Sequence, residues 1–246
     1  NVLRDQFAQA MRTLCNEVET DIAELYKSAS RAYGTAGTTP FGTAGDFTDA
    51  SRALEILKDN GAPLTGNQLV VGSVAGANML GLQSRVDVQG NDSLLRQGVL
   101  LSTAGMDIRE SAQAQAHTKG TGASYLVNDA GLAVGDTVIA CDGGTGTILA
   151  GDVVTFAGDT NKYVVTSALD SGSFTIAEPG LKVAVADNAA ITVGDSYTAN
   201  MAFNRSAIVL VTRAPARPEE GDLAEDVMLM TDPRSGITFE VSMYKE

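Results

Sequence analysis

The sequence predicts an α+β chain in which a small antiparallel β module, a barrel or a sandwich, is inserted into a host of mixed helices and strands. One apolar stripe runs along the first 25 residues, as on a single helix face. Six β-branched apolar runs with turn residues between them then recur over residues 119–194. Helix and strand patterns resume after residue 194, so the host begins before the module and finishes after it.

The first helix is predicted over residues 1–33. Its stripe consists of apolar residues spaced three or four positions apart, namely Leu3, Phe7, Met11, Leu14, Val18, Ile22 and Leu25. A helix of this length spans about 50 Å at 1.5 Å per residue, which favours a strut in a flat, extended subunit. An ordinary core-facing helix and a coiled coil are the alternatives. Gly34 is expected to end the helix, and a loop follows to Gly45.

The first half of the host mixes helices and short strands without strict alternation, which indicates α+β rather than α/β. A second helix begins near Thr48, a good N-cap, and ends at Gly61 and Pro63. The other predicted elements are a strand at 68–71, a helix at 74–80 capped by Ser73, a helical turn at 92–97, and strands at 99–101 and 106–109 joined by a turn at Ala104-Gly105.

The inserted module is predicted over residues 119–194, where nothing is typical of a helix. Its predicted strands are 137–140, 152–156, 163–166, 173–176, 182–185 and 190–193. Turn residues separate them at 143–144, 158–159, 170–172 and 179–180. Short strands at nearly regular spacing indicate an antiparallel barrel or sandwich.

The second half of the host is predicted to contain a buried strand at 207–211, a polar loop at 213–221 and an apolar run at 227–230. Residues 236–244 alternate apolar and polar side chains, which predicts a strand with one buried face. We expect its partner strand to lie outside this chain. Because Asn1 falls inside a helix pattern and Glu246 inside a strand pattern, we also expect the chain to be a piece of a longer polypeptide.

Composition excludes several classes of protein. Of the 246 residues, 44% are apolar and 19% are charged, which indicates a globular chain. A net charge of -13 disfavours a sequence-reading nucleic-acid binder. His117 is the only histidine, so most zinc sites and histidine-based triads are excluded. The two cysteines lie far apart, which favours a reducing compartment, and neither a membrane-spanning run nor a signal peptide is visible.

The candidate binding motifs favour turns over ligand sites. Asp142-Gly-Gly-Thr-Gly146 is rich in glycine, but it lacks the Lys-Ser/Thr ending of a phosphate loop and no helix follows it. Calcium would need several acidic side chains converging on one loop. The acidic residues of the module are instead spread over its predicted strand ends: Asp129, Asp136, Asp142, Asp152, Asp159, Asp170 and Asp187.

The candidate catalytic groups also favour structural roles. The carboxylates at 219, 220, 222 and 225 (Glu219, Glu220, Asp222 and Glu225) follow Pro218, which predicts a solvated loop or a charged contact with a neighbouring subunit. His117 is expected at the surface or at a hinge, Cys15 is expected to be packed, and Cys141 ends a strand. No nucleophile, base and orienting group can be assembled from these residues. We therefore predict no catalytic residue, cofactor or metal, and no enzymatic activity.

Two sequence segments resemble the major capsid (coat) protein of tailed bacteriophages. Residues 98–111, Gly-Val-Leu-Leu-Ser-Thr-Ala-Gly-Met-Asp-Ile-Arg-Glu-Ser, resemble a strand return of that family, with Met106 in place of the usual aromatic residue. Residues 202–208, Ala-Phe-Asn-Arg-Ser-Ala-Ile, are similar to its Ala-Phe-His-Arg-x-Ala segment, with Asn204 in place of the frequent histidine. The long first helix resembles the spine helix of the family, and residues 48–71 resemble the start of its axial domain.

The resemblance implies the tailed-phage major capsid fold: a long spine helix, a mixed axial domain and peripheral-domain strands. The β module is similar to the β-barrel inserted in podovirus-type coat proteins. The implied segments are the spine helix at 1–33, axial domain at 34–118, inserted β-barrel at 119–194, axial return at 195–235, and the first strand of a peripheral hairpin at 236–246.

The function implied by the resemblance is that of a structural subunit of an icosahedral phage or prophage capsid. Such subunits assemble into hexamers and pentamers, with a scaffolding protein and a portal as partners, non-specific proximity to packaged DNA and no membrane. The implied location is the virion, and the bacterial host cytoplasm during assembly. The alternative is a surface module that binds a glycan or a host through the inserted β domain.

Overall fold

The computed structural model describes residues 2–43, 46–83, 102–213, 224–232 and 236–244. The helices are α1 (Val2–Ala23), a short 3-10 helix (Glu24–Ser28), α2 (Thr48–Asp59) and α3 (Ser73–Gln83). The strands are β1 (Arg31–Ala32), β2 (Asn67–Gly72), β3 (Ser102–Thr103), β4 (Met106–Ser111), β5 (Ala116–His117), β6 (Leu126–Val127), β7 (Val138–Asp142), β8 (Val153–Phe156), β9 (Lys162–Asp170), β10 (Ser173–Ile176), β11 (Ile191–Val193), β12 (Tyr197–Thr198), β13 (Met201–Asn204), β14 (Asp226–Thr231) and β15 (Thr238–Met243). The chain divides into two compact units, residues 22–207 and residues 1–21 with 208–246.

The first helix is shorter than the sequence predicts. It ends at Ala23 rather than at residue 33, and its 22 residues span about 33 Å instead of about 50 Å. The chain tightens into the 3-10 helix, buries Tyr26, and then pairs as β1 with β9. The burial of Tyr26 and the pairing of β1 with β9 are tertiary contacts that override the helical pattern of residues 24–33.

The second helix begins at Thr48 as predicted, but the predicted capping role of Thr48 is wrong. Thr48 is the first helical residue, and its N–H donates to Asp46 Oδ1 over 2.8 Å. The carboxylate of Asp46 thus satisfies one of the unpaired N–H groups of the first turn. The helix ends at Asp59, and Gly61 follows in the left-handed region at φ 80°.

The host sheet contains four strands in the order β13-β2-β4-β3. β2 is parallel to β4 and antiparallel to β13, so a strand that follows the barrel completes a sheet that began before it. The predicted strands at 68–71 and 106–109 are confirmed, as is the turn at Ala104-Gly105. The elements predicted at 92–97 and 99–101 lie outside the described residues. Side chains from β2, α3 and β4 form the core beneath this sheet, including Leu69, Val71, Ala75, Met79, Met106 and Ile108.

The predicted β module is a closed six-stranded antiparallel barrel with strand order β11-β8-β9-β10-β7-β6. The barrel closes between β6 and β11 through backbone hydrogen bonds. The N–H of Val127 donates to the carbonyl of Ala189 over 3.0 Å, and the N–H of Ile191 donates to the carbonyl of Tyr125 over 2.9 Å. Fifteen buried residues fill the barrel: Tyr125, Val127, Leu132, Ile139, Cys141, Ile148, Val154, Phe156, Tyr163, Val165, Phe174, Ile176, Leu181, Val185 and Ile191. The barrel therefore has its own hydrophobic core, separate from that of the host sheet.

The prediction for the barrel is wrong at one strand, and it lacks one strand that the structure contains. Residues 182–185 form no strand, and Val185 makes only an isolated bridge with Leu132. The N–H of Lys182 donates to the hydroxyl of Tyr163 over 2.9 Å rather than to a neighbouring strand. The sixth strand is instead β6, whose two residues are too few to produce an alternating pattern.

Tyr163 is expected to make the barrel sensitive to alkali. Its ring is fully buried, and this burial, with its hydrogen bond to Asp159, raises the pKa of its hydroxyl to about 12. The folded state thus holds this proton more tightly than the unfolded state, whose tyrosines ionise near pH 10. Stability present below pH 10 should therefore fall as the pH rises towards 12. Denaturant unfolding between pH 9 and pH 12 should show a shallower decline in Tyr163→Phe, and an equal slope in both proteins would contradict this assignment.

The C-terminal segment departs from the sequence prediction twice. Residues 207–211 are not a buried strand, because the paired strand is β13 and Asn204 ends it by accepting hydrogen bonds from Ser206. The strand that pairs with β15 lies within this chain, contrary to the prediction. β15 pairs antiparallel with β14 in a hairpin, from Asp226↔Met243 to Thr231↔Thr238. The strand expected to be the first of a hairpin is thus the second strand of the hairpin that β14 begins.

A buried histidine cluster at the neck of the barrel

Two short strands lead the chain into and out of the barrel. β5 precedes the barrel and β12 follows it, and they pair antiparallel with His117 opposite Tyr197. His117 is only 7% exposed. The prediction of a surface histidine is therefore wrong, although the residue does lie at the junction between barrel and host.

Both ring nitrogens of His117 are hydrogen-bonded. Nε2 lies 2.8 Å from Asp152 Oδ1, and Nδ1 lies 2.8 Å from the hydroxyl of Tyr26. An ionised carboxylate can only accept, so Nε2 carries the hydrogen and donates it to Asp152. In the neutral ring Nδ1 is then the acceptor, and the Tyr26 hydroxyl donates to it. The three side chains form one continuous chain of hydrogen bonds that joins Tyr26, His117 and Asp152.

Asp152 ends this chain as a buried and fully partnered carboxylate. It is 1% exposed, and its Oδ1 also accepts from the N–H of Gly120 over 3.0 Å. Its Oδ2 accepts from the N–H of Leu149 over 2.7 Å. Each carboxylate oxygen therefore accepts at least one hydrogen bond at short range from the protein itself. The carboxylate thereby connects the entrance of the barrel to the turn before β8.

Aromatic packing encloses the histidine. The Tyr26 and Tyr197 ring centroids lie 5.7 Å and 5.2 Å from that of His117. The Tyr197 hydroxyl donates to the carbonyl of Gly151 over 2.6 Å, and burial raises the pKa of both tyrosines. Gly151 has φ 97°, and a Cβ there would approach the His117 ring to 2.9 Å. The cluster is therefore packed so closely that only glycine fits beside it.

Tyr26, His117 and Asp152, here called the clamp, hold the neck of the barrel together through their hydrogen bonds. A tyrosine, histidine and carboxylate in series could relay a proton, but the buried tyrosine heads the series where a substrate would have to bind. A cleft of about 310 Å³ does lie on the barrel, lined by Ser28, Thr137, Thr166, Thr175, Ile176, Ala177 and Glu178. None of the three clamp residues lines it. Sequence reasoning missed the cluster because its members are separated by 91 and 35 positions.

Three of the other acidic residues of the barrel support turns, as predicted. Asp129, Asp136 and Asp159 accept hydrogen bonds from backbone N–H groups two or three residues away. In the glycine-rich segment, Gly143 and Gly146 have φ of 69° and 89°, which a turn requires. Within the described parts of the chain, no group of three or more histidine, cysteine or acidic side chains is placed to hold a metal ion.

The remaining candidates are dispersed. Glu219, Glu220 and Asp222 lie outside the described residues, and Glu225 is exposed. Cys141 lies in the barrel core, where burial raises the pKa of its thiol. Cys15 is half-buried on α1, and its Sγ lies 3.8 Å from Asp232 Oδ2. The described helices include none with the length and apolar character needed to cross a membrane.

Comparison with known proteins yields structural rather than sequence matches. No protein-family model and no curated protein matches the chain. Among solved structures, a chain from Mycobacterium phage Che8 is similar, with 18% identity and a TM-score of 0.38. The match covers 78% of this chain and 58% of the phage chain. The protein is thus a mixed α+β chain with a closed β-barrel and a distant structural likeness to a phage chain.

Proposed function

We propose that this chain is a non-enzymatic shell subunit of a tailed phage or prophage, with the major capsid fold and the barrel as an insertion. One observation carries the proposal. In the unit formed by residues 1–21 and 208–246, no residue whose side chain is described is buried. A helix and a hairpin whose described side chains form no core need further surfaces to pack against, and in a shell built from one kind of subunit those surfaces belong to other copies.

The apolar side chains of this unit support that reading. Val209 and Val211 are 79% and 84% exposed, and residues 208–212 make no backbone hydrogen bond to any described residue. Apolar residues are likewise exposed on α1 and on the hairpin, among them Phe7, Leu14, Met228, Leu229 and Met243. A β-branched run with unpaired backbone is a template for pairing with a strand of another subunit. The order of elements and the two capsid-like sequence segments agree with this role.

The alternative of a glycan-binding barrel has less support. Sugar sites commonly present exposed aromatic rings, yet Tyr125, Phe156, Tyr163 and Phe174 are all buried in the barrel core. Tyr197 is half-buried and packs against His117. A glycan array probed with the protein is therefore expected to show no specific binding, and saturable binding of one glycan class would favour the alternative.

Shell assembly should depend on the exposed run at Val209 and Val211. The polypeptide that contains this chain, coexpressed with its scaffolding protein, should give closed polyhedral particles in negative-stain micrographs. Replacing both valines with aspartate should abolish the particles, because charge cannot be buried between subunits, while leaving the folded subunit soluble.

The control is Val134→Asp, which introduces one negative charge at a barrel residue that is 63% exposed. It should assemble like the parent protein. Particles of normal yield from the Val209/Val211 double variant, or only soluble subunits from the parent protein with its scaffold, would contradict the proposal.

A further inference from the structure

The segment that follows α1 packs along the barrel and is not a free linker. Residues 24–32, here called the strap, comprise the 3-10 helix and β1. Tyr26 of the strap contacts His117 at the barrel neck. β1 then pairs with the first two residues of β9, with Arg31 opposite Tyr163 and Ala32 opposite Lys162. Host residues thus add a seventh strand to the sheet of the barrel.

Arg31 joins the strap to two other parts of the molecule. Its side chain is 8% exposed; Nη1 donates to Asn161 Oδ1, and Nη2 donates to Asp59 Oδ2, each over 2.9 Å. Asn161 belongs to the turn between β8 and β9 of the barrel, whereas Asp59 is the last residue of α2 in the host. The planar guanidinium, with donors at fixed angles, can hold both at once.

Further polar contacts follow the same line between barrel and host. Lys182 of the barrel donates to the carbonyl of Asp59 over 3.4 Å, and Lys162 of β9 donates to the carbonyl of Gly34. The neck itself is small, since β5 and β12 pair over only two residues each. A two-residue ribbon is not stable by itself. The contacts of the strap therefore add to those of the neck in resisting rotation of the barrel.

We propose that residues 24–32 form a latch that locks the inserted barrel onto the host. The latch consists of two sets of hydrogen bonds: the Tyr26–His117–Asp152 chain at the neck, and the Arg31 contacts with Asn161 and Asp59. While both sets are formed, the barrel and the host sheet move as one body. When they are released, the barrel is free to swing on the β5–β12 ribbon while its own core stays folded. This inference concerns residues 22–207 alone and does not rest on the capsid proposal.

Hydrogen exchange of backbone amides in the full chain tests the latch, because local opening exposes amides in the segments that open. In the parent protein, the strap and the β5–β12 ribbon should exchange together and faster than the barrel core at Val154 and Val165. Tyr26→Phe keeps the ring and removes only the hydrogen bond to His117. It should speed exchange of strap and ribbon amides by roughly five- to tenfold, the effect of one lost hydrogen bond, and leave the core amides unchanged.

Two further variants keep the test decisive. Arg31→Lys keeps the charge but loses the double contact, and it should accelerate the same amides by a similar factor. Tyr125→Phe is the matched control, because its buried hydroxyl donates to Gly146 within the barrel over 2.9 Å. It should leave the ribbon at the parent rate. Parent-like ribbon exchange in both latch variants, or equal acceleration by Tyr125→Phe, would overturn the proposal, since the ribbon would then not depend on the strap.

Discussion

Replacing Asp152 with alanine is expected to lower the free energy of unfolding by about 3–5 kcal/mol, because three donors lose their acceptor at once. The substitution removes the acceptor of the buried Nε2–H of His117, of the buried N–H of Gly120 and of the half-buried N–H of Leu149. Each such donor costs about 1–3 kcal/mol when it is buried without a partner. Denaturant unfolding followed by circular dichroism would measure the change.

Asp152→Asn separates charge from shape. The amide keeps the volume but turns one acceptor into a donor that faces other donors, so we expect most of the loss to remain. Asp142→Ala is the control, because Asp142 is exposed at the end of β7. It should change stability by no more than about 0.5 kcal/mol. A change of that size in Asp152→Ala would refute the clamp as a stabilising element.

Replacing Gly146 with alanine is expected to destabilise the barrel by about 3 kcal/mol or more, since left-handed strain and overpacking act together. Gly146 has φ 89°, and a Cβ there would lie 2.3 Å from the carbonyl oxygen of Thr121. Backbone cannot move aside as a flexible side chain can, so the turn would have to shift. Thermal unfolding of the variant and the parent protein would show the loss.

Gly143→Ala is the matched control within the same turn. Its φ is 69°, but the nearest atoms to an added Cβ lie 4.0 Å away, so only the backbone strain of about 1–2 kcal/mol applies. Equal losses in the two variants would mean that the contact between Gly146 and Thr121 has no energetic weight. Both glycines are turn residues, as their sequence context indicates, and only Gly146 is also closely packed against backbone.

The barrel was the most predictable part of the fold, because its signals are local. Runs such as 153–156 and 173–176 combine β-branched or aromatic residues with neighbouring Gly and Asp turns, and both are strands in the structure. The same reasoning failed at 207–211, where an equally apolar run forms no strand. Whether a run pairs depends on a neighbouring edge, and β2 is already paired with β4 and β13.

The site was less predictable than the fold. A single histidine between polar residues indicates a surface position when the sequence is considered alone. Its burial depends on Tyr26, which lies 91 positions earlier, and on Asp152, which lies 35 positions later. The end of α1 also depends on a distant contact. The helical pattern continues to Leu25, but α1 ends at Ala23 and a 3-10 helix that buries Tyr26 follows.

By itself, the sequence determined the α+β class, the insertion of a β module, and the turns that Gly and Asp require, because periodicity and backbone preference act over a few residues. Only the tertiary structure decided how the barrel closes, that β15 pairs with β14, and that Tyr26, His117 and Asp152 meet at its neck. Those features depend on contacts between residues far apart in the chain. Their energy comes from burial and from hydrogen bonds that exist only once both partners are in place.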